Sequence, residues 1–145
     1  MDAPPRPAQE PASTTPSRLP ILVVEDDAPL RALLTYALRE EGYPVEEAGD
    51  GAAAVHLLHR HRAVGTPLGL ILLDLMLPQL SGLDVLHYVA RLAAEVPVVI
   101  ISAHDRLLLG AMAAGASAVL RKPVELEHVV AIAATYCRPD SAGEA

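Results

Sequence analysis

The sequence predicts an α/β protein in which a doubly wound, five-stranded parallel sheet is covered by five helices. Two observations predict it. Short, continuously apolar runs at Ile21-Leu22-Val23-Val24, at 68–73 and at 96–101 have the composition of strands buried on both faces of a sheet. Between them lie segments whose apolar residues recur at helical spacing, and parallel neighbours require such crossovers because a tight turn cannot join them.

Taken in order, the first strand covers 21–24 and is followed by Glu25-Asp26-Asp27. Leu30, Leu33, Leu34, Ala37 and Leu38 then repeat as one helical stripe, with Pro29 suited to the first turn and Gly42 to the stop. Residues 44–48 form a short second strand, and Asp50 caps a helix through about His61. The third strand, 68–73, ends in Asp74. A turn containing Pro78 and Gly82 leads into a helix over 83–93, and the strand 96–101 is closed by Ser102. A fourth helix is expected over 105–114, a brief fifth strand over 118–120 ahead of Lys122-Pro123, and a last helix over 126–136.

With 145 residues, 52% of them hydrophobic, the chain has room for one ordinary domain and its core. Residues 1–18, rich in Pro with Ser and Thr, are expected to be a disordered tail, 19–137 the domain, and 138–145 a second, polar tail. The greasiest region, 68–80, is interrupted by Asp74 and Pro78 and falls short of the ~20 apolar residues a membrane span needs. Cys137 is the only cysteine, which excludes a disulfide framework. A cytoplasmic protein without membrane attachment is expected. A net charge of −7, with no Trp or Phe, argues against direct nucleic-acid binding.

Doubly wound sheets bind ligands beyond the carboxyl ends of their strands, and this sequence places its polar residues there. Strand one ends in Glu25 and Asp26, strand three in Asp74, strand four in Ser102 and strand five in Lys122. Crowded carboxylates repel one another unless a proton or cation intervenes, and Mg²⁺ suits oxygen ligands of this kind. Asp26 and Asp74 fit as its ligands, with Glu25 acting through water. Lys122 is then placed as a point charge on a transferring phosphoryl group, Ser102 as a hydrogen-bond donor to it, and Asp74 as the nucleophile that forms an aspartyl phosphate.

Over about 19–136 the chain resembles a bacterial response-regulator receiver domain, expected to be either of stand-alone type or a fragment of a larger regulator. Ile21-Leu22-Val23-Val24-Glu25-Asp26-Asp27 is similar to the family's acidic pocket, and Leu72-Leu73-Asp74-Leu75-Met76-Leu77-Pro78 with Gly82 to its phosphoacceptor strand and turn. Val99-Ile100-Ile101-Ser102-Ala103 resembles the hydroxyl-bearing strand, and Arg121-Lys122-Pro123 the lysine before a peptide that is commonly cis. The resemblance implies a flavodoxin-like strand order 2-1-3-4-5 and a two-component or phosphorelay switch rather than an enzyme. It implies a sensor histidine kinase or phosphotransfer protein as donor and the backbone carbonyl of Met76 as a further metal ligand. A downstream protein partner is expected on helix 4, strand 5 and helix 5, beside the leucines of helix 4. A phosphorylation-dependent dimer is compatible with the resemblance. One position departs from the pattern: three residues before the lysine, where many receivers carry Tyr or Phe, stands Val119.

Three other signals compete. Gly49-Asp50-Gly51-Ala52-Ala53-Ala54 matches a dinucleotide fingerprint, but Asp50 would set a carboxylate against the pyrophosphate, and that reading leaves Asp26, Ser102 and Lys122 without a role. A phosphatase resembling the haloacid dehalogenase group needs a second Asp two residues after the nucleophile, where Met76 stands. His56 and His59 share a helix face with His61 close by, a pattern read as a solvated surface, while His104 either borders the site or starts a helix. Leu107, Leu108 and Leu109 sweep roughly 200° of a helix, so at least one is expected to face solvent.

Overall fold

The structure, a computed structural model, describes residues 18–139 except Ala94. Both predicted tails therefore fall largely outside the described residues. Five strands, β1 (Ile21–Val24), β2 (Val45–Ala48), β3 (Leu70–Asp74), β4 (Val98–Ser102) and β5 (Ala118–Arg121), alternate with five helices. The helices are α1 (Ala28–Glu40), α2 (Gly51–Val64), α3 (Gly82–Leu92), α4 (Asp105–Ala113) and α5 (Leu126–Tyr136). All strand pairs are parallel and the order is β2-β1-β3-β4-β5, as the sequence predicts.

The central strands are apolar up to their last residues, Asp74 and Ser102, because alternate residues serve two cores. Leu22, Val24, Ile71, Leu73, Val98 and Ile100 pack on one face against Ala54, Leu58, Val85, Leu86, Val89 and Ala111 of α2, α3 and α4. Ile21, Val23, Leu70, Leu72, Val99 and Ile101 pack on the other against Leu34 and Leu38 of α1 and Val129 and Ala133 of α5. β2, whose Val45-Glu46-Glu47-Ala48 buries only its ends, lies at the sheet edge, where half of its side chains reach water.

Local signals set the helix starts. Asp27 accepts from the Leu30 N–H and Asp50 from the Ala53 N–H at 2.7 Å, while Ser81 and Asp84 form a reciprocal capping box on α3. Pro29 stands in the first turn of α1, and Gly42 turns the chain out of it at φ +95°. Element boundaries differ from the sequence reading by a few residues: β3 and β4 begin two residues later and run through Asp74 and Ser102, and α2 continues to Val64.

The predicted α1 stripe needs one correction. Leu33 is 52% exposed and Thr35 is buried in its place, because the helix is rotated to centre Leu34 and Leu38 on the sheet. On α4, Leu107 and Leu108 lean on the core and Leu109 is 77% exposed, as the geometry of three consecutive leucines requires. The domain is closed at its base by Arg18, which pairs with Pro139, and by Gly69, which donates to the Pro20 carbonyl and accepts from the Arg138 N–H.

The glycines of the fingerprint-like motif have structural work. A Cβ on Gly51 would press into the backbone carbonyl of Leu80, so the residue lets the β3–α3 turn lie against the start of α2. Gly51→Ala is therefore expected to cost about 1–3 kcal/mol, the usual penalty for overpacking against backbone, read as a lower urea midpoint at unchanged slope.

Candidate functional site

Parallel register carries each polar strand end to the same edge of the sheet. Val24 is level with Leu73, so Glu25 and Asp26 follow directly beside Asp74, while Asp74 pairs with Ile101 and Ser102 with Arg121. The next residue in each chain segment is therefore a neighbour in space. Glu25, Asp26, Asp74, Ser102 and Lys122, five of the six site residues expected from the sequence, stand at this edge, and the sixth, Met76, follows two residues after Asp74.

Asp74 is 2% exposed. Its Oδ1 accepts from the Met76 N–H at 2.9 Å and its Oδ2 from Lys122 Nζ at 3.0 Å. Gly82 allows this turn to close, since a Cβ there would come within 2.5 Å of the Asp74 carbonyl. Glu25 is equally buried: Oε2 accepts from the Asp27 N–H at 3.1 Å and from Lys122 Nζ at 3.3 Å. Its other oxygen, Oε1, lies 3.1 Å from Nζ in ion-pair contact but without a hydrogen bond. Asp26 is exposed, and one carboxylate oxygen each of Glu25, Asp26 and Asp74 lies within 4.8 Å of the others.

Lys122, directly after β5, bridges the two buried carboxylates, and the Lys122–Pro123 peptide is cis. Burial works against its charge, but the hydrogen bonds and negative charges of Asp74 and Glu25 prevail and hold the ammonium above its ordinary value. The Glu25 carboxyl moves the other way. Burial, foremost, and the Asp74 carboxylate push it up to about 7, against the pull of the Asp27 N–H and Lys122. With both acids ionised, two anions face one cation and the pocket is short of positive charge.

That deficit is what a divalent cation would fill. The oxygen-only donor set, the orphaned Glu25 Oε1 and the open side at Asp26 fit Mg²⁺, which takes one or two carboxylates and keeps several waters. Among the described residues no other His, Cys, Asp and Glu group has such geometry. His61 instead pairs through Nε2 with Glu46 at 2.8 Å and through Nδ1 with Thr66, and His56 and His59 are exposed.

Ser102 is fully buried; its Oγ accepts the His104 N–H at 3.1 Å, and among the described residues its hydroxyl donates to no acceptor. His104 itself is exposed at the N-cap of α4 without a side-chain capping bond. Met76 is 50% exposed beside Asp74. The sequence reading missed the direct Glu25–Lys122 pairing and the hold of the Met76 N–H on Asp74, neither of which spacing along the chain reveals.

A doubly wound sheet with buried acids, a lysine and a hydroxyl at the carboxyl edge is the frame of a phosphoacceptor protein. The response regulator receiver domain profile matches residues 21–134, and the chain belongs to that family. It is 36% identical over 112 residues to the probable transcriptional regulatory protein TcrX of Mycobacterium tuberculosis, a match covering 76% of this chain and 46% of that protein. It is 39% identical over 114 residues to the DNA-binding response regulator MtrA of Mycolicibacterium paratuberculosis, covering 77% and 48%. The chain thus spans about half the length of the curated relatives it matches. The signal receiver domain of a putative LuxO repressor from Vibrio parahaemolyticus superposes with a TM-score of 0.72 at 29% identity, over 82% of this chain and 89% of that one. Receiver domains are phosphoacceptor switches of two-component signalling that take phosphoryl groups from kinases. No helix among the described residues is long and apolar enough to cross a membrane.

The raised Glu25 carboxyl has a consequence for stability. Folded protein keeps this proton to about pH 7, whereas the unfolded chain releases it near the ordinary value of 4.5. Its contribution is then fully present below pH 4.5 and is lost as pH rises through about 7. In metal-free protein, urea unfolding across that window should show stability falling with pH less steeply in Glu25→Gln than in the parent.

Proposed function

We propose that this receiver domain acts through Asp74 as its phosphoacceptor, with the buried, lysine-paired Asp74 carboxylate as the observation that carries the reading. The donor is a phosphohistidine on a sensor kinase or phosphotransfer protein. An Asp74 oxygen attacks phosphorus, the donor's P–N bond breaks, and its electron pair returns to the imidazole, which takes a proton from solvent. Lys122 exchanges its hydrogen bond on Asp74 for one on the incoming phosphoryl oxygens, and the Ser102 hydroxyl donates to another. Asp26, Asp74 and the Met76 carbonyl would hold Mg²⁺, with Glu25 assisting through water. When bound, the ion neutralises the charge that develops on the phosphoryl oxygens. Self-phosphorylation from the donor and slow loss of the phosphoryl group are the only turnover expected, in a cytoplasmic switch formed by residues 19–137.

Output runs through α4. Val119 is too small to act as an aromatic rotamer switch, so a change at Ser102 passes through the His104 N–H that it holds and on to the start of α4. The Asp105–Arg121 ion pair ties the same point to β5. Leu109 and Met112, both exposed on α4, offer the partner its contact. The phosphoryl group must bind the two arrangements of this loop differently for the shift to occur.

Acetyl phosphate with Mg²⁺ should add one phosphoryl group to the protein and none to Asp74→Asn, read by intact mass. Modification of the variant at the parent rate would remove Asp74 from the role. Beryllofluoride should change amide exchange across residues 103–114, and Lys122→Ala should blunt that change; a response confined to another surface would displace α4 as the output element.

A further inference from the structure

Arg31 lies outside the group of residues just assigned, yet its side chain closes on that group from α1. Its Nη1 donates to the backbone carbonyl of Glu25 at 2.6 Å, and its Nε to Glu47 Oε1 on β2 at 3.3 Å. The β1–β2 ladder explains why the carbonyl needs this donor. Val24 and Ala48 are the last register pair, and the Glu25 N–H still reaches the Ala48 carbonyl at 3.0 Å. In a parallel ladder the Glu25 carbonyl would take its bond from the chain two residues further on. There β2 has already turned away, with Asp50 capping α2. The guanidinium replaces the missing rung. Gly49 leaves it the space: a Cβ there would stand 3.1 Å from Nη1. This gives the first glycine of the fingerprint-like motif a role that dinucleotide binding does not.

We propose that Arg31 is a positioning residue for the metal site, fixing the peptide between Glu25 and Asp26 so that the exposed Asp26 carboxylate faces Asp74. The peptide joins the two acidic side chains, and no other described side chain holds its carbonyl. A rotation there swings Asp26 away from the cluster within 4.8 Å that it forms with Glu25 and Asp74. The proposal rests on the reading of that cluster as a Mg²⁺ site.

Position and charge make opposite demands, which gives the test its sign. As a charge alone, the guanidinium repels a dication, so its removal would tighten Mg²⁺ binding. As a positioning group, its removal loosens the Asp26 carboxylate and weakens binding, by roughly 10–100-fold for groups that orient metal ligands. Mg²⁺ alone is titrated calorimetrically into the full chain, into Arg31→Met, which keeps the apolar stem, and into Gly49→Ala, which keeps the charge and crowds the guanidinium. Gly49 has no left-handed φ, so alanine is compatible with its backbone. Both variants should bind Mg²⁺ more weakly, Arg31→Met by about tenfold or more. Gly49→Ala should have no further effect in the Arg31→Met background, and the Asp26 amide should exchange faster in metal-free Arg31→Met. Should Arg31→Met fail to fold, the Gly49→Ala titration decides alone. Unchanged or tighter binding in the variants, with parent binding that depends on Asp26, overturns the role of Arg31. Parent protein whose Mg²⁺ binding is indifferent to Asp26→Ala overturns the metal reading, and the proposal with it.

Discussion

Lys122 Nζ, within 3.3 Å of both Glu25 and Asp74, is the contact on which the site depends. Two carboxylates at 1% and 2% exposure could not remain ionised side by side without it, because burial and mutual repulsion both favour protonation. Even with the lysine the balance is incomplete, and the Glu25 carboxyl is driven up to about 7. The pocket is thus held together by an ion pair and kept short of positive charge at once.

The fold exists around this edge because a parallel sheet has direction. Its five strands all end on one side, so residues separated by nearly a hundred positions, Glu25 and Lys122, meet without any local sequence relation. The apolar runs beneath them leave no room for adjustment: Ile71 to Leu73 and Val98 to Ile101 are buried on both faces, and a slip of one residue would exchange the two cores. Rigidity of that kind holds the carboxylates in place.

Two contacts in the loops beyond the strand ends satisfy backbone groups where regular structure ends. Ser102 Oγ accepts from the His104 N–H at the head of α4, and Arg31 donates to the Glu25 carbonyl where β2 departs. Each lies at a point where a regular ladder or helix ends and a backbone group would otherwise lack a partner. The α4 contact leads toward Leu109 and Met112, and the α1 contact toward the acidic loop. The half-buried Val119 on β5 does not supply the bulk that an aromatic residue would.

By itself the sequence determined the strands, the helices and which residues stand at strand ends. Buried parallel strands are continuous apolar runs, helices carry period and caps, and Asp74, Ser102 and Lys122 each follow such a run directly. The convergence of those residues follows from topology, which alternating elements constrain closely. What only the tertiary structure decided is which partner each group takes. Glu25 rather than Asp26 is the buried acid beside Lys122, Leu33 faces water while Thr35 turns inward, and Gly49 and Gly51 are small because Arg31 and Leu80 press against them. These outcomes depend on the rotation of α1 and on approaches of a few ångströms between segments distant in the chain. Periodicity and propensity carry the spacing of residues along one element, not the angle at which two elements meet.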